Sequence, residues 1–139
     1  MNTEKIAEFE NVSKVYGGLW PGRSPVRAVE AVSFAIHTGE VFGLLGPNRA
    51  GKSTLVKLLL TICHPSSGRI TRFGRSWSDR RTLARFGYIH ESQALPWYLS
   101  AQALLEYYGA LAGATPRTAR RRSGELLEQV GLADRSREP

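Results

Sequence analysis

The residues of this sequence best suited to chemistry lie together in one short segment, residues 46 to 54. The segment reads GPNRAGKST and fits the spacing G-x-x-x-x-G-K-[ST]. Glycines allow the main chain to approach a ligand without an intervening Cβ atom. Amides at the start of a helix and a nearby ammonium both attract anions, so this spacing indicates a site for a polyphosphate.

The individual positions of the segment predict how it would hold a nucleoside triphosphate. Lys52 is expected to reach the β and γ phosphates, and the Ser53 hydroxyl to hold a Mg2+ ion that keeps most of its waters. Thr54 can donate to the α phosphate. The alternative is a glycine-rich turn with an incidental lysine, but a turn alone needs neither the ammonium nor the two hydroxyls. The candidate nucleotide-binding residues in this segment are Gly46, Pro47, Asn48, Arg49, Ala50, Gly51, Lys52, Ser53 and Thr54.

The segment must be positioned by the elements on either side of it. Residues 41–45 form a continuous apolar run, which is typical of a parallel strand covered on both faces. After the segment, apolar residues recur at i, i+3, i+4 and i+7, which predicts a helix with one apolar face. This predicted face consists of Leu55, Leu58, Leu59 and Ile62. A strand, a loop and a helix in this order are the context that the phosphate-binding spacing requires.

Further strands are predicted on both sides of this unit. Apolar and polar residues alternate in residues 6–15 and 32–36, which indicates half-buried strands, and the glycines and prolines of residues 17–25 indicate a loop between them. Residues 69–73 and 87–89 are shorter strand candidates. The chain therefore begins with strands and carries its phosphate loop in the middle.

Three helices are predicted after residue 77. Ser78 or Asp79 can cap a short helix that ends near Arg85. Ser100 can cap a longer helix, and Gly113 stands where a left-handed terminating residue belongs. The apolar face of that helix is predicted to be Ala101, Leu104, Leu105, Tyr108, Leu111 and Ala112.

The last predicted helix opens at Thr115-Pro116, because proline at the first helical position gives up a donor that would have no partner there. Leu126, Leu127 and Val130 are expected to form its inward side, and Gly131 to end it.

Composition narrows the classes of function. The longest apolar stretch, residues 54–63, contains Lys57 and is far shorter than the roughly 20 residues of a membrane span. The polar amino terminus does not look like an export signal, which favours a cytoplasmic location. A net charge of +7 invites a nucleic-acid function, but the arginines are spread along the chain. The cluster in residues 117–122 is typical of a solvated face, or of one facing lipid head groups or a partner, so no nucleic acid is predicted.

Four stretches together resemble the ATP-binding subunit of an ABC transporter. These stretches are GPNRAGKSTLVKLL, FENVSKVYGG, SGRITRFG and FGYIHESQALPWYLSAQALLEYYGALAG, and they follow the family's order. The resemblance covers essentially the whole chain but only the front part of the family's domain. It implies an α/β fold, a P-loop NTPase core with an amino-terminal antiparallel β subdomain and a carboxy-terminal helical segment, truncated. The implied divisions are residues 1–40 for the β subdomain, 41–95 for the P-loop core and 96–139 for the start of the helical subdomain.

The resemblance also implies roles for three residues. Tyr16 stands where the family places the aromatic ring that stacks on adenine, although an ordinary tyrosine at a strand end is the alternative. Arg49 replaces a usual glycine, so its side chain must leave the phosphate cradle or lean over it. Glu91 replaces the glutamine that is implied to contact Mg2+, so Ser53 and Glu91 are the expected metal-binding residues, although a solvated loop acid is the alternative for Glu91.

Several family motifs are missing from the sequence. There is no L-S-G-G-Q signature, no run of apolar residues that ends in the Walker B aspartate, and no switch-histidine context for His37, His64 or His90. We therefore assign no catalytic residue and expect Mg-ATP binding without hydrolysis from this chain alone. The sheet of the family would also leave residues 41–45 with open edges, which predicts aggregation or partial disorder.

The leading interpretation is an ATP-binding subunit of the export type, with ATP and Mg2+ as cofactors. Its implied partners are a membrane-spanning transporter subunit and a second nucleotide-binding subunit, at the inner face of the cell membrane. The alternative is a truncated, non-catalytic nucleotide-binding or interaction module. A GTPase or small-molecule kinase is disfavoured by the 45 residues that precede the loop and by the absence of Asn-Lys-x-Asp.

Overall fold

The computed structural model describes residues 4–17, 24–90 and 95–138 of the chain. The chain divides into two compact units, residues 1–87 and residues 88–139. Among the described residues, no helix combines the length and hydrophobicity that crossing a bilayer requires.

A four-stranded antiparallel sheet dominates the first unit. Its strands are β1 (Lys5–Tyr16), β2 (Val26–His37), β3 (Ser67–Arg72) and β4 (Arg75–Ser76), in the spatial order β2-β1-β3-β4. The predicted strands at residues 6–15, 32–36 and 69–73 are confirmed, and the first two are longer than predicted. The amino-terminal antiparallel β subdomain is therefore present.

The apolar run at residues 41–45 is not a strand, so that prediction is wrong. A strand needs a neighbour for its amides and carbonyls, and no described segment forms a ladder with this run. Val41 is 102% exposed and Leu45 is 95% exposed. The Phe42 ring stacks on Phe34 at 5.1 Å between centroids. Residues 87–89 form no strand either, for the same reason.

Helix α1 (Lys52–Leu59) packs against the sheet and completes the core of this unit. The predicted face is confirmed for Leu55 and Leu58, which are buried, and Leu59 packs against them. Ile62 is 61% exposed, contrary to the prediction, because the helix ends three residues earlier. The buried core residues are Phe9, Val12, Val29, Leu55, Leu58 and Ile70.

A short 3-10 helix, Arg80–Arg85, follows β4 in the first unit. Its cap is Asp79, whose carboxylate accepts from the Arg81 amide at 3.1 Å. The Arg81 amide lowers the pKa of Asp79, and the Arg75 guanidinium, 3.2 Å away, lowers it further. The predicted helix near Arg85 is therefore confirmed, with Asp79 rather than Ser78 as its cap.

The second unit contains helices α2 (Ala101–Leu111) and α3 (Pro116–Gln129). Ser100 caps α2 by accepting from the Ala103 amide at 3.2 Å, as predicted. Thr115 caps α3 by accepting from the Thr118 amide at 3.3 Å. The glycines predicted to end the helices both have positive φ, with 85° at Gly113 and 70° at Gly131.

The buried faces of these helices differ from the prediction. In α3 the buried residues are Ala119, Ser123 and Leu127, whereas Leu126 is 45% exposed and Val130 is 65% exposed. Close packing against α2 explains which residues of α3 are buried, because a Cβ at Gly109 would lie 3.1 Å from the Ala119 Cβ. Small residues thus allow the helices to approach closely, and they shift the contact away from the larger apolar side chains. In α2 itself no residue is fully buried, and Tyr108, Leu111 and Ala112 of its predicted face are exposed.

Candidate nucleotide-binding site

The two framing glycines of the loop occupy backbone conformations that disfavour other residues. Gly46 has a φ of 152° and Gly51 a φ of 87°. A Cβ at Gly51 would lie 2.2 Å from the carbonyl oxygen of Ala28, which is much closer than real Cβ contacts. Gly51 is therefore required both for the turn and for the close approach of the loop to β2.

The first turn of α1 presents amides without partners. The first bond of the helical ladder runs from the Leu55 amide to the Gly51 carbonyl at 3.0 Å. The amides of the three preceding residues, Lys52, Ser53 and Thr54, have no acceptor among the described residues. No side chain caps this end, and the first turn carries no acidic residue. Uncapped amides at the positive end of a helix dipole form an anion site.

The Lys52 ammonium lies at the start of the loop. Its Nζ donates to the Gly46 carbonyl at 2.6 Å and to the Pro47 carbonyl at 2.8 Å. An ammonium has three donors, so these two bonds leave one donor for a ligand. The side chain thus links the two ends of the loop and supplies the positive charge that the sequence predicted.

Arg49 adopts a left-handed conformation, with a φ of 68°. The side chain is exposed, and its guanidinium has no hydrogen-bond partner among the described residues. The backbone conformation gives a physical reason for the glycine that the resemblance places here, because only glycine adopts it without strain.

Tyr16 lies at the end of β1 and is brought close to α1. Its hydroxyl donates to the Cys63 Sγ at 3.5 Å, and its ring lies 4.8 Å from the Lys14 Nζ. The pKa of Tyr16 is raised, first by the hydrogen bond with Cys63 and then by burial, while a hydrogen bond with Thr54 lowers it. The candidate adenine-stacking residue and the candidate α-phosphate donor are therefore neighbours.

The predicted metal pair is described only in part. Ser53 lies exposed in the first turn of α1, whereas Glu91 lies outside the described residues. The described part of the chain contains no group of three or more His, Cys, Asp and Glu residues that could hold a metal ion. A single hydroxyl still fits Mg2+, because this ion usually takes one or two protein ligands together with substrate phosphates and waters.

The sequence did not predict a side-chain network at the carboxyl end of α1. Arg72 is fully buried, and its guanidinium donates to the Leu59 carbonyl at 2.9 Å, to the Asp79 carbonyl at 3.3 Å and to the Trp77 carbonyl. The Trp77 indole donates to the Leu58 carbonyl at 2.6 Å. Burial lowers the pKa of Arg72. These two residues, named here the α1 clamp, hold the far end of the helix whose first turn forms the anion site. Arg72 lies two residues after the buried Ile70, and alternate residues of a strand lie on the same face. This spacing was the signal from which the burial of Arg72 could have been predicted.

The fold and the loop define a P-loop nucleotide-binding protein, and comparison with known proteins identifies its family. The ABC transporter family model matches residues 29–139. The chain therefore belongs to the ABC transporter family, on its ATP-binding side, as the sequence resemblance indicated.

The similar proteins are ATP-binding proteins of ABC transporters. An uncharacterized one from Synechocystis sp. is 38% identical over 94% of this chain and 37% of its own length. The linearmycin resistance ATP-binding protein LnrL of Bacillus subtilis is 35% identical, over 96% of this chain and 41% of its own length. The methionine import ATP-binding protein MetN 2 of Rhodococcus jostii is 36% identical, over 95% of this chain and 40% of its own length. The chain thus spans about two fifths of the length of these relatives.

Solved structures agree on the fold. The ATP-binding subunit of an ABC transporter has a TM-score of 0.72 at 27% identity, over 96% of this chain and 53% of the other. The dimeric ATP-binding cassette MJ0796, bound to ADP and Pi, has a TM-score of 0.75 at 20% identity, over 95% of this chain and 60% of the other. The predicted fold class, a P-loop core with an antiparallel β subdomain and a helical segment, is confirmed.

Proposed function

We propose that this chain binds Mg-ATP through residues 46–54, as part of a subunit that powers a membrane-spanning transport partner. The uncapped amides at the start of α1, together with the Lys52 ammonium at the loop entrance, carry the proposal. Both features face the same short loop, and both favour an anion with several negative charges.

Individual roles follow from the positions of the side chains. Lys52 would use its remaining donor on the β and γ phosphates, and Ser53 would hold the Mg2+ ion. Thr54 would donate to the α phosphate, and Tyr16, which contacts Thr54, would stack on the adenine. Stacking of a base on an aromatic ring contributes about 1 to 3 kcal/mol. Glu91 keeps its proposed role as a second contact to Mg2+.

The proposed assembly is that of a transporter. The chain would pair with a membrane-spanning subunit and a second nucleotide-binding subunit, and would lie at the inner face of the cell membrane. The direction that we propose is export, supported by the relative named for linearmycin resistance. The relative named for methionine import is similarly identical, so transport of labelled substrate in inverted vesicles is the measurement that decides direction. The division into residues 1–40, 41–95 and 96–139 is proposed for the same subunit.

A non-catalytic nucleotide-binding module is the second candidate. It concerns residues 1–139 by themselves, which contain neither the signature nor a Walker B carboxylate. Hydrolysis needs a residue that positions the attacking water, and it also needs charge that stabilises the transition state. We expect no steady ATPase activity from these residues alone. Activity that disappears in Lys52→Ala would refute this candidate.

Binding of a fluorescent ATP at submicromolar protein concentration tests the leading proposal. Lys52→Ala should weaken binding at least tenfold, because it removes the only ammonium at the loop. Lys57→Ala is the matched control, since Lys57 is exposed in the last turn of the same helix, and it should change affinity less than twofold. Absence of saturable binding by the unaltered chain, with Mg2+ present, would overturn the proposal.

A further inference from the structure

A second positively charged pocket lies in the first unit, formed by the turn between β3 and β4 and by the 3-10 helix. It has a volume of about 320 Å³ and is lined by Phe73, Arg75, Arg81, Thr82 and Arg85. At liquid density this volume corresponds to about ten water molecules, so it can receive a hydrated phosphate group. None of these residues belongs to the loop at residues 46–54. We name this feature the arginine pocket.

Two of the three arginines are oriented by contacts. The Arg85 guanidinium carbon lies 3.6 Å from the centroid of the Phe73 ring. A guanidinium stacked on a ring keeps its N–H donors in its own plane, where they are available to a ligand. The Arg75 Nη1 lies 3.2 Å from the Asp79 carboxylate, which fixes that side chain while leaving other donors of its fork unused. Oriented donors lose less conformational entropy when they bind a ligand.

Phe73 occupies a conformation that its turn does not favour. Its φ is 48°, followed by 70° at Gly74, in the two-residue connection between β3 and β4. Such turns favour asparagine or aspartate at this position, and a bulky residue there is strained. The ring contacts both Arg85 and Phe86, the latter at 5.5 Å between centroids. Phe73 thus provides a platform for Arg85 that asparagine could not.

The charge of the pocket is not balanced. Three guanidinium groups face one carboxylate, that of Asp79, which leaves two net positive charges. The guanidinium groups of Arg81 and Arg85 have no hydrogen-bond acceptor among the described residues. The Thr82 hydroxyl donates to the Asp79 carbonyl at 2.7 Å, so the arginines provide the available donors.

We infer that the arginine pocket binds a phosphate group, either free in solution or on the head group of an anionic lipid. Arginine is suited to this ligand because its planar fork matches two phosphate oxygens. A nucleic acid would be favoured by a basic stripe that follows a backbone, whereas these arginines line one open concavity. The inference does not depend on nucleotide binding at residues 46–54.

Calorimetric titration with inorganic phosphate tests the site. It is carried out in the Lys52→Ala background, so that the loop at residues 46–54 does not dominate the signal. Arg81→Met and Arg85→Met should each weaken phosphate binding at least tenfold. Arg69→Met is the control, because the Arg69 side chain is 76% exposed on the neighbouring strand and lies outside the pocket. It removes the same charge and should change the affinity less than twofold.

A second measurement requires no pocket variant to fold. Phosphate should protect Arg81 and Arg85 from modification by phenylglyoxal, mapped by mass spectrometry, while Arg69 stays reactive. Equal weakening by all three variants, equal protection of all three arginines, or no saturable binding would overturn the inference.

Vesicle sedimentation then distinguishes the two sources of phosphate. If a lipid head group is the ligand, the chain sediments with phosphatidylglycerol vesicles but not with phosphatidylcholine vesicles, and both pocket variants abolish this. Phosphate binding without sedimentation assigns the pocket to a soluble phosphate compound. Pocket-dependent binding to an oligonucleotide, with no response to phosphate or vesicles, would overturn the inference in favour of nucleic acid.

Discussion

Single residues in the phosphate loop combine ligand chemistry with backbone strain. Gly51 could not be replaced without a collision with the Ala28 carbonyl, and the Lys52 ammonium bridges two loop carbonyls. Arg49 is the exception, because its side chain makes no hydrogen bond within the described residues and its backbone is left-handed. Its effect on stability can therefore be separated from its effect on binding.

Arg49→Gly should raise the free energy of unfolding. Relief of the left-handed strain contributes about 1 to 2 kcal/mol, while the greater freedom of glycine in the unfolded chain removes about 0.4 to 1 kcal/mol. The net gain should be about 0.5 to 1 kcal/mol, measured by urea denaturation. Arg49→Ala keeps the strain and should show no gain. A loss of stability in Arg49→Gly would show that the arginine makes a stabilising contact, and the affinity for Mg-ATP of the two variants would test whether it contacts phosphate.

At the scale of the element, α1 is held at both ends by different means. Its first turn leaves amides open toward the ligand, whereas its last carbonyls accept hydrogen bonds from the α1 clamp. Cations and donors are favourable at the carboxyl end of a helix because of the unpaired carbonyls and the dipole there. Because the clamp holds the carboxyl end, the first turn of α1 can lack a cap without loosening the whole helix.

Removal of the buried guanidinium should destabilise the first unit. Arg72→Met fills most of the same volume but leaves the carbonyls of Leu59 and Trp77 without this donor, whereas the Asp79 carbonyl still accepts from the Thr82 hydroxyl. Unpaired buried carbonyls cost about 1 to 3 kcal/mol each, and release from burying a charge offsets part of this cost. We expect a net loss of about 2 kcal/mol in urea denaturation. Arg69→Met, on the exposed side of the same strand, should stay within about 0.5 kcal/mol of the wild type. Equal stability of the two variants would contradict the role of the clamp.

The cap of the 3-10 helix makes stability depend on pH. The pKa of the Asp79 carboxyl is lowered by the Arg81 amide and by Arg75, so the native state favours the charged form. Its contribution is complete above the ordinary pKa of about 4 and is lost as the pH falls through the lowered pKa. Asp79→Asn retains a capping side chain but does not titrate. The variant should therefore be less stable than wild type at pH 7 and should approach it near pH 2, measured by thermal unfolding. A difference that does not depend on pH would exclude the carboxylate charge as the cause.

At the scale of the whole molecule, the sequence predicted what local interactions determine. The phosphate loop and the caps at Ser100 and Thr115 were predictable, because each rests on contacts within a few residues. The sequence wrongly predicted a strand at residues 41–45, because a strand also requires a distant partner that the local pattern does not reveal. The burial of Arg72 was missed for a similar reason, since it depends on how β3 and α1 meet. The inward side of α3 was predicted to be Leu126, Leu127 and Val130, and only Leu127 is buried, because the prediction relied on apolar size and could not include the close approach at Gly109.

The apolar run at residues 41–45 should make the chain associate with itself. Val41 and Leu45 are almost fully exposed, and the backbone of the run has no ladder partner among the described residues. An exposed apolar segment with unpaired backbone groups can pair with other chains, and lysine in such a segment opposes this pairing. We expect wild type to form larger species as concentration rises in sedimentation velocity, and the double variant Val41→Lys, Leu45→Lys to stay largely monomeric.

A matched double variant separates the effect of the exposed run at residues 41–45 from the effect of the added charge. Ile62→Lys, Leu111→Lys also replaces two exposed apolar residues, which are 61% and 68% exposed, and adds the same charge. It should associate as wild type does if the exposed run at residues 41–45 drives self-association. Similar suppression by both double variants would assign the effect to net charge. A monomeric wild type that melts in one cooperative transition would contradict the open edge itself, because residues 41–45 would then need a partner that the described structure does not contain.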